Sequence, residues 1–404
     1  MQVVPILKGF DYKHLLQQSM ECQIAGQPMG LYLHVPFCFS RCTYCSFVSC
    51  TDLSLETQYV KRLEQEIENW GTILSAPALD TMYLGGGTPS VLSIDSLRTI
   101  TKAIHSAFDI TGLLEATLEA NPGTLTPDWL DAARSEGWNR ISLGVQTLDT
   151  AVLESLGRTH DTPDVFAALE LCKEAGFGRI NADLLLGTPG QRLERVLDDA
   201  ESLIEAGVEH LSIYLLDLDK PCSLKSQIDS GGIKLPEDGL VADAYQALQE
   251  YLPKLGFIQY EISNYSRAGR HSIHNMRYWH RLPYLGLGPG AASNIGNIRW
   301  SESENIEKWI RAEANQDVQI LTPEESLAEI PLLGLRTHSG VDWKTLVRAA
   351  ESRGLSKLIS KWESALTPYI TSGLLHQDDG IGRTLRLTAK GMLLSNLVFQ
   401  VFVD

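Results

Sequence analysis

The sequence predicts an α/β fold, an open partial (β/α)6 barrel of TIM type followed by a smaller helical, winged-helix-like domain. Two observations predict it: β-rich runs alternate with segments of helical period along the first half, and past about residue 300 the alternation gives way to helices. A chain of 404 residues suits two or three domains, and 44% apolar with 21% charged residues is an ordinary globular composition.

The elements follow in order. LYLHVP (31–36) reads as the first strand, and LETQYVKRLEQEIENW (55–70) as the helix that returns the chain. TMYLGG (81–86) is the second strand, followed by a helix over 94–108. ATLEAN (116–121) precedes a helix over 126–137, RISLGV (140–145) one over 162–176, and RINADLLL (179–186) one over 193–207. HLSIYLL (210–216) is the sixth strand. Thr126 and Thr162, each followed by Pro-Asp, mark helix starts, while Gly137, Gly176 and Gly207 stand where C-terminal caps belong. Six βα units are too few for a closed eight-unit barrel but suffice for an open one, with a doubly wound sheet as the competing arrangement. Helices follow at 303–313, 322–334, 342–353 and 356–366, then two short strands near GLLHQ and TLRLT, and a last helix from Ala389. The expected organisation is an N-terminal extension (1–29), the barrel (30–270), a connecting segment (271–299) and the helical domain (300–404).

Charge narrows the function. Fifty acidic against 34 basic residues give a net charge of -16, and residues 301–404 carry 14 acidic and 11 basic side chains. No nucleic-acid partner is expected of such a surface, even from a winged-helix-like domain. The longest uncharged stretch, Cys22 to Ser40, contains Gln23, Gln27, Pro28, His34 and Pro36, so no transmembrane segment is expected. The start, MQVVPILKGFDYK, lacks a secretory pattern, which predicts a cytoplasmic protein and leaves peripheral contact with a membrane open.

Seven cysteines are present, three of them in Cys38-Phe-Ser-Arg-Cys42-Thr-Tyr-Cys45 immediately after the first strand. Three thiolates on one loop can hold three corners of a cubic iron–sulfur cluster and leave one iron open to a small molecule. A zinc site completed by His34 or Cys50 is the alternative that spacing allows. Cys22, Cys172 and Cys222 are isolated and read as packed thiols.

The C-x3-C-x2-C run after strand one, with Tyr83-Leu-Gly-Gly-Gly-Thr-Pro89 after strand two, Glu119 in LEANPG, Gln146 in SLGVQ, Arg158 in LGRTH and Asp183 in NADLLLGTPGQ, resembles the radical S-adenosylmethionine family. The resemblance is to its coproporphyrinogen oxidase branch and covers residues 31 to about 400. It implies a [4Fe–4S] cluster on Cys38, Cys42 and Cys45, with S-adenosylmethionine chelating the fourth iron. It further implies Tyr32 near the methionine, Tyr44 against the adenine, and Gly86, Gly87 and Thr88 at the amino group. Glu119, Gln146, Arg158 and Asp183 would hold the amino acid and ribose, with Leu215 and Ala292 as apolar neighbours.

Two members of this branch differ in class. An oxygen-independent coproporphyrinogen dehydrogenase of porphyrin metabolism carries C-x3-C-x2-C-x-C, whereas Phe47 stands here at the fourth cysteine position. The other is a haem chaperone. His274-Asn275-Met276-Arg277-Tyr278-Trp279 resembles the HNxxYW haem motif of that HemW family, which implies haem as cargo, His274 as leading axial ligand with His271 and His280 as substitutes, and acceptor haemoproteins such as respiratory enzymes. The residue types alone allow a hydrogen-bonded corner instead, and Tyr284-Leu-Gly-Leu-Gly-Pro-Gly290 reads as a tight loop at the mouth.

Overall fold

The structure, a computed structural model, describes residues 27–313, 316–378 and 383–403; residues 1–26, including Cys22, lie outside the described residues. Six parallel strands, β1 (Met29–Val35), β2 (Leu79–Gly86), β3 (Glu115–Ala120), β4 (Arg140–Gln146), β5 (Ile180–Leu186) and β6 (His210–Leu215), lie side by side in chain order. A doubly wound sheet reverses its strand order partway. The unbroken order β1 to β6 therefore excludes that alternative and puts the crossover helices on one face.

The residues on that face explain the choice. Leu31, Leu33, Val35, Leu84, Leu118, Ile141, Leu143, Ala182, Leu211 and Ile213 are essentially without exposure and pack in one core with Leu63, Ile67, Leu97, Ile100, Leu130, Leu169 and Leu203 of the helices. Intervening positions are polar or aromatic. In the ladder register Tyr32 pairs with Tyr83, Tyr83 with Thr117 and Thr117 with Arg140; Glu119 pairs with Ser142, Ser142 with Asn181 and Asn181 with His210. A two-sided buried parallel sheet reads as continuous apolar runs, so this alternation identifies a polar inner wall.

Helices end and begin where the sequence says. Gly137, Gly176 and Gly207 have φ of 91°, 79° and 92°, the left-handed geometry of a helix terminus. Thr126 caps Trp129 N–H, whereas the helix Thr162–Glu174 is capped one residue earlier, by the Asp161 carboxylate accepting from Asp164 N–H while the Asp164 carboxylate accepts from Asp161 N–H.

The sheet is wider than six strands. After β6, the short antiparallel β7 (Ile258–Gln259) and β8 (Asn264–Ser266) extend one side. On the other, β9 (Tyr284–Leu287) runs parallel to β1, followed by antiparallel β10 (Ala292–Ile295), β11 (Ile298–Ser301) and β12 (Asp317–Ile320). The glycine-rich segment read as a loop is thus strand as far as Leu287. Gly288, at φ 98°, begins the loop, and a Cβ there would lie 2.6 Å from His34 O.

A second hydrophobic core, from Leu327 to Phe402, belongs to the C-terminal unit. Its helices Pro323–Gly334, Trp343–Ser352 and Ser356–Thr371 surround a small sheet of β13 (Val341–Asp342), β14 (Leu375–Asp378) and β15 (Thr384–Leu387), and helices Ala389–Leu393 and Ser395–Val403 close it. Helix, strand, two helices and a hairpin is the order of a winged-helix unit. Among the described residues no helix is long and apolar enough to cross a membrane.

Candidate functional site

The cysteine loop leaves the C-terminal end of β1 and is pinned at three points. Cys38 N–H donates to Cys50 O at 3.0 Å, Cys50 N–H to Pro36 O at 2.7 Å, and Thr43 N–H to Leu156 O at 3.0 Å. Cys38, Cys42 and Cys45 are half-buried, and burial pushes the Cys38 and Cys45 thiols up. Cys50 serves the loop through its backbone; its Sγ lies 4.0 Å from Asp52 O. His34 is equally occupied, with Nε2 on Val48 O at 2.8 Å and Nδ1 on Tyr32 Oη at 3.1 Å. With both ring nitrogens engaged, His34 offers zinc no fourth corner in this conformation.

Of the other predicted residues, Thr88 and Arg158 reach this loop, while Glu119 and Asp183 lie on β3 and β5. Thr88 Oγ1 lies 3.4 Å from Cys38 Sγ. Arg158 donates from Nη2 to Gly144 O at 2.6 Å and from Nη1 to Cys42 Sγ at 3.5 Å, while its Nε is buried without a partner among the described residues. Glu119 accepts from Tyr83 Oη at 2.7 Å and Gly86 N–H at 2.9 Å, yet burial holds its carboxyl above the usual range. Asp183 is likewise raised by burial, against bonds from Ser142 at 3.2 Å and Asn181 at 2.8 Å. Tyr44 packs against the cluster of Val152, Leu156, Leu185 and Leu224 below the loop.

Backbone geometry sets the approach of these groups. The register of β4 on β5 slips between Leu143 and Gln146, and Gln146 takes φ 70°, a bulge that turns its side chain out of the ladder. A Cβ on Gly144 would come within 3.0 Å of Gln146 Nε2 and 3.2 Å of Arg158 Nη2. A Cβ on Gly86 would meet the His34 ring at 2.5 Å, and one on Gly87 would meet Phe37 O at 2.7 Å. Sequence reasoning missed Gly144 and the Tyr83 hydroxyl. The signals available were a glycine inside a strand and the alternation that places Tyr83 in register with Thr117, on the Glu119 side of the wall.

Leu215 and Ala292 are exposed, at the end of β6 and the start of β10. The HNxxYW segment does not join the cysteine loop. It forms the helix Ile273–Trp279, whose start is held by the buried Glu115 carboxylate, accepting from Ser272 Oγ at 3.0 Å and Ile273 N–H at 2.8 Å. His274 is 1% exposed, with Nδ1 on Thr81 Oγ1 at 3.0 Å and Nε2 on Tyr278 Oη at 2.8 Å. Burial pushes its pKa down to about 3. Both nitrogens are engaged, so neither lone pair is presented to an iron in this conformation. Trp279 lies under the Arg336 guanidinium at 4.6 Å, joining the segment to the C-terminal unit, and Asn275 N–H bonds Ser272 Oγ at 3.3 Å. His271 and His280 are exposed.

A parallel open barrel with three cysteines after β1 and a glycine cradle after β2 defines the radical S-adenosylmethionine class: residues 32–219 match the Radical SAM superfamily and residues 321–394 the HemN C-terminal domain. The fold is that of coproporphyrinogen III oxidase (HemN) from Escherichia coli, with a TM-score of 0.84 and 23% identity over 98% of this chain and 94% of that one. The chain is 34% identical over 382 residues to the heme chaperone HemW of Lactococcus lactis, covering 93% of this chain and 98% of that one. It is 33% identical over 340 residues to the mitochondrial radical S-adenosyl methionine domain-containing protein 1 of Mus musculus, covering 81% and 77%. The chain belongs to the HemW family.

Proposed function

We propose that this protein is a haem chaperone that binds haem and delivers it to acceptor haemoproteins such as respiratory enzymes, in the cytoplasm. The observation that carries this reading over the coproporphyrinogen dehydrogenase is Phe47. It is 64% exposed on the cysteine loop, where the dehydrogenase pattern has a thiol, and an aromatic ring can neither ligate metal nor carry thiol chemistry.

The residues present fit a resident [4Fe–4S] cluster with S-adenosylmethionine. Cys38, Cys42 and Cys45 supply soft thiolate donors, and the buried unpartnered Nε of Arg158 is a charged donor awaiting an acceptor. Gly86 and Gly87 let the glycine loop pack against the His34 ring and against the backbone at the entry to the cysteine loop, where a Cβ would clash. When bound, that pair supplies one-electron chemistry. This chain's own part is orientation: Arg158 and Gln146 take the carboxylate side, the Glu119 edge beside Gly86 the amino side, and Asp183 with Tyr44 the nucleoside. The chain's net charge of -16 disfavours nucleic acid as a partner.

The test is transfer. Anaerobically reconstituted protein loaded with haem, mixed with an apo-haemoprotein, should pass haem to it and restore the acceptor's spectrum. Haem held without transfer to any apo-acceptor overturns the chaperone reading.

A further inference from the structure

We propose that S-adenosylmethionine and haem bind this protein antagonistically, coupled through Tyr83, which joins Glu119 of the cofactor site to the His274 ring. The inference rests on the haem-chaperone reading, with His274 as the iron ligand, and supplies the regulation of that site.

Tyr83 is half-buried on β2 and touches both segments. Its hydroxyl donates to Glu119 Oε1 at 2.7 Å, while Glu119 Oε2 accepts from Gly86 N–H at 2.9 Å. Its ring lies against the His274 imidazole, with centroids 5.2 Å apart and planes tilted by 32°. Two residues earlier, on the same face of the strand, Thr81 Oγ1 lies 3.0 Å from His274 Nδ1. The Tyr32 ring, 6.0 Å from that of Tyr83, adds a third connection: its hydroxyl lies 3.1 Å from His34 Nδ1, and His34 Nε2 lies 2.8 Å from Val48 O on the cysteine loop. Gly85 shows how closely the pair is held, since a Cβ there would come within 2.8 Å of both Tyr83 Cε1 and Glu119 Cδ.

His274 has two arrangements. In the one seen here Thr81 and Tyr278 engage both ring nitrogens, and ligation of iron requires another in which at least one of these bonds is broken. Whatever stabilises the first arrangement therefore weakens haem binding. The bond from Tyr83 to Glu119 does so, because it fixes the ring against which His274 packs. Burial disfavours a charge on Glu119. An ammonium group beside the carboxylate fixes that charge, and a hydroxyl bonds a charged acceptor about twice as strongly as a neutral one. Occupancy of the amino side thus tightens Tyr83 where it holds His274 back, and by linkage haem weakens S-adenosylmethionine by the same factor. Loading of the cofactor becomes a signal for haem release. Tyr83 is a positioning residue in this scheme, acting on iron ligation through His274.

The experiment titrates ferric haem, followed by its Soret band, into the full-length, anaerobically reconstituted protein with and without saturating S-adenosylmethionine, and with no reductant so that the cofactor stays intact. S-adenosylmethionine should weaken haem binding at least about fivefold, and haem should weaken S-adenosylmethionine binding equally. Tyr83→Phe keeps the ring and loses the hydroxyl bond, so it should bind each ligand alone while the coupling falls below about twofold. Gly85→Ala, which forces Tyr83 and Glu119 apart, should lower the coupling too. A merely structural Tyr83 would shift both affinities without changing the effect of one ligand on the other. Circular dichroism and iron content confirm folding of each variant. Equal haem affinity with and without S-adenosylmethionine, or full coupling in both variants, overturns the inference and leaves the chaperone reading intact. A haem spectrum unchanged in His274→Ala overturns the inference at its ligand, and failure of the unsubstituted protein to bind haem overturns the chaperone reading with it.

Discussion

Arg158→Lys isolates the fork geometry of the proposed S-adenosylmethionine site. The lysine keeps a positive charge beside Cys42, so cluster assembly should survive. It loses the planar fork that places one nitrogen 2.6 Å from Gly144 O, another 3.5 Å from Cys42 Sγ, and a third, Nε, buried and unpartnered. A lysine ammonium has three donors but they sit on one nitrogen, which cannot span the positions that the three guanidinium nitrogens occupy. One hydrogen bond to a charged group contributes about 1.5–3 kcal/mol. At about 1.4 kcal/mol per decade, S-adenosylmethionine should bind roughly 10- to 150-fold more weakly. The assay is equilibrium binding to anaerobically reconstituted protein, with iron and sulfide measured on the same samples. Unchanged affinity, or a loss that only tracks missing iron, would refute the assignment of Arg158.

Further outcomes follow from the same geometry. Cys38→Ala, Cys42→Ala and Cys45→Ala should each abolish cluster absorption after reconstitution, whereas Cys50→Ala, which keeps the backbone bonds pinning the loop, should retain it. Gly87→Ala brings a Cβ within 2.7 Å of Phe37 O and 2.9 Å of Val35 O, backbone atoms at the entry to the cysteine loop. Iron incorporation, read by iron content, should fall by more than half. His274→Ala strands the Thr81 and Tyr278 hydroxyls at about 1–3 kcal/mol each, so chemical denaturation should register a loss of several kcal/mol. Glu302 is buried near Glu66, and burial followed by repulsion from Glu66 pushes its carboxyl up to about 8. A raised folded-state pKa means the folded protein holds a proton that the unfolded chain releases. That contribution is therefore present at low pH and lost as pH rises through about 8. Glu302→Gln should match the unsubstituted protein near pH 5 and be more stable above pH 8, as thermal unfolding at the two pH values would reveal.

The six parallel strands and their helices were legible because each strand runs six to eight residues with alternating chemistry and three of the helices are followed by the left-handed glycines Gly137, Gly176 and Gly207. The strands β7 to β12 were not, being two to four residues long, too short to display a period. The helix Asp238–Tyr251 also went unread, because only Tyr245 and Leu248 on it are buried. At the site, cysteine spacing, the strand-end residues Glu119 and Gln146, and Asp183 within β5 stood out as motifs. The role of Gly144 did not, since it depends on two side chains, Gln146 and Arg158, meeting over one residue. His274 shows the opposite limit. Its sequence neighbours suggest a ligand, but its partners are the Thr81 hydroxyl and the Glu115 carboxylate, which accepts from its backbone N–H, nearly 200 and 160 residues away, and no local pattern carries them.

The most direct measurement runs one anaerobically reconstituted preparation, with S-adenosylmethionine and a reductant, through two assays in parallel: decarboxylation of coproporphyrinogen III, and transfer of bound haem to an apo-haemoprotein. The chaperone account predicts haem transfer with no decarboxylated product, in keeping with Phe47 in place of a thiol. Turnover of coproporphyrinogen to its decarboxylated product, with no haem delivered, would contradict it.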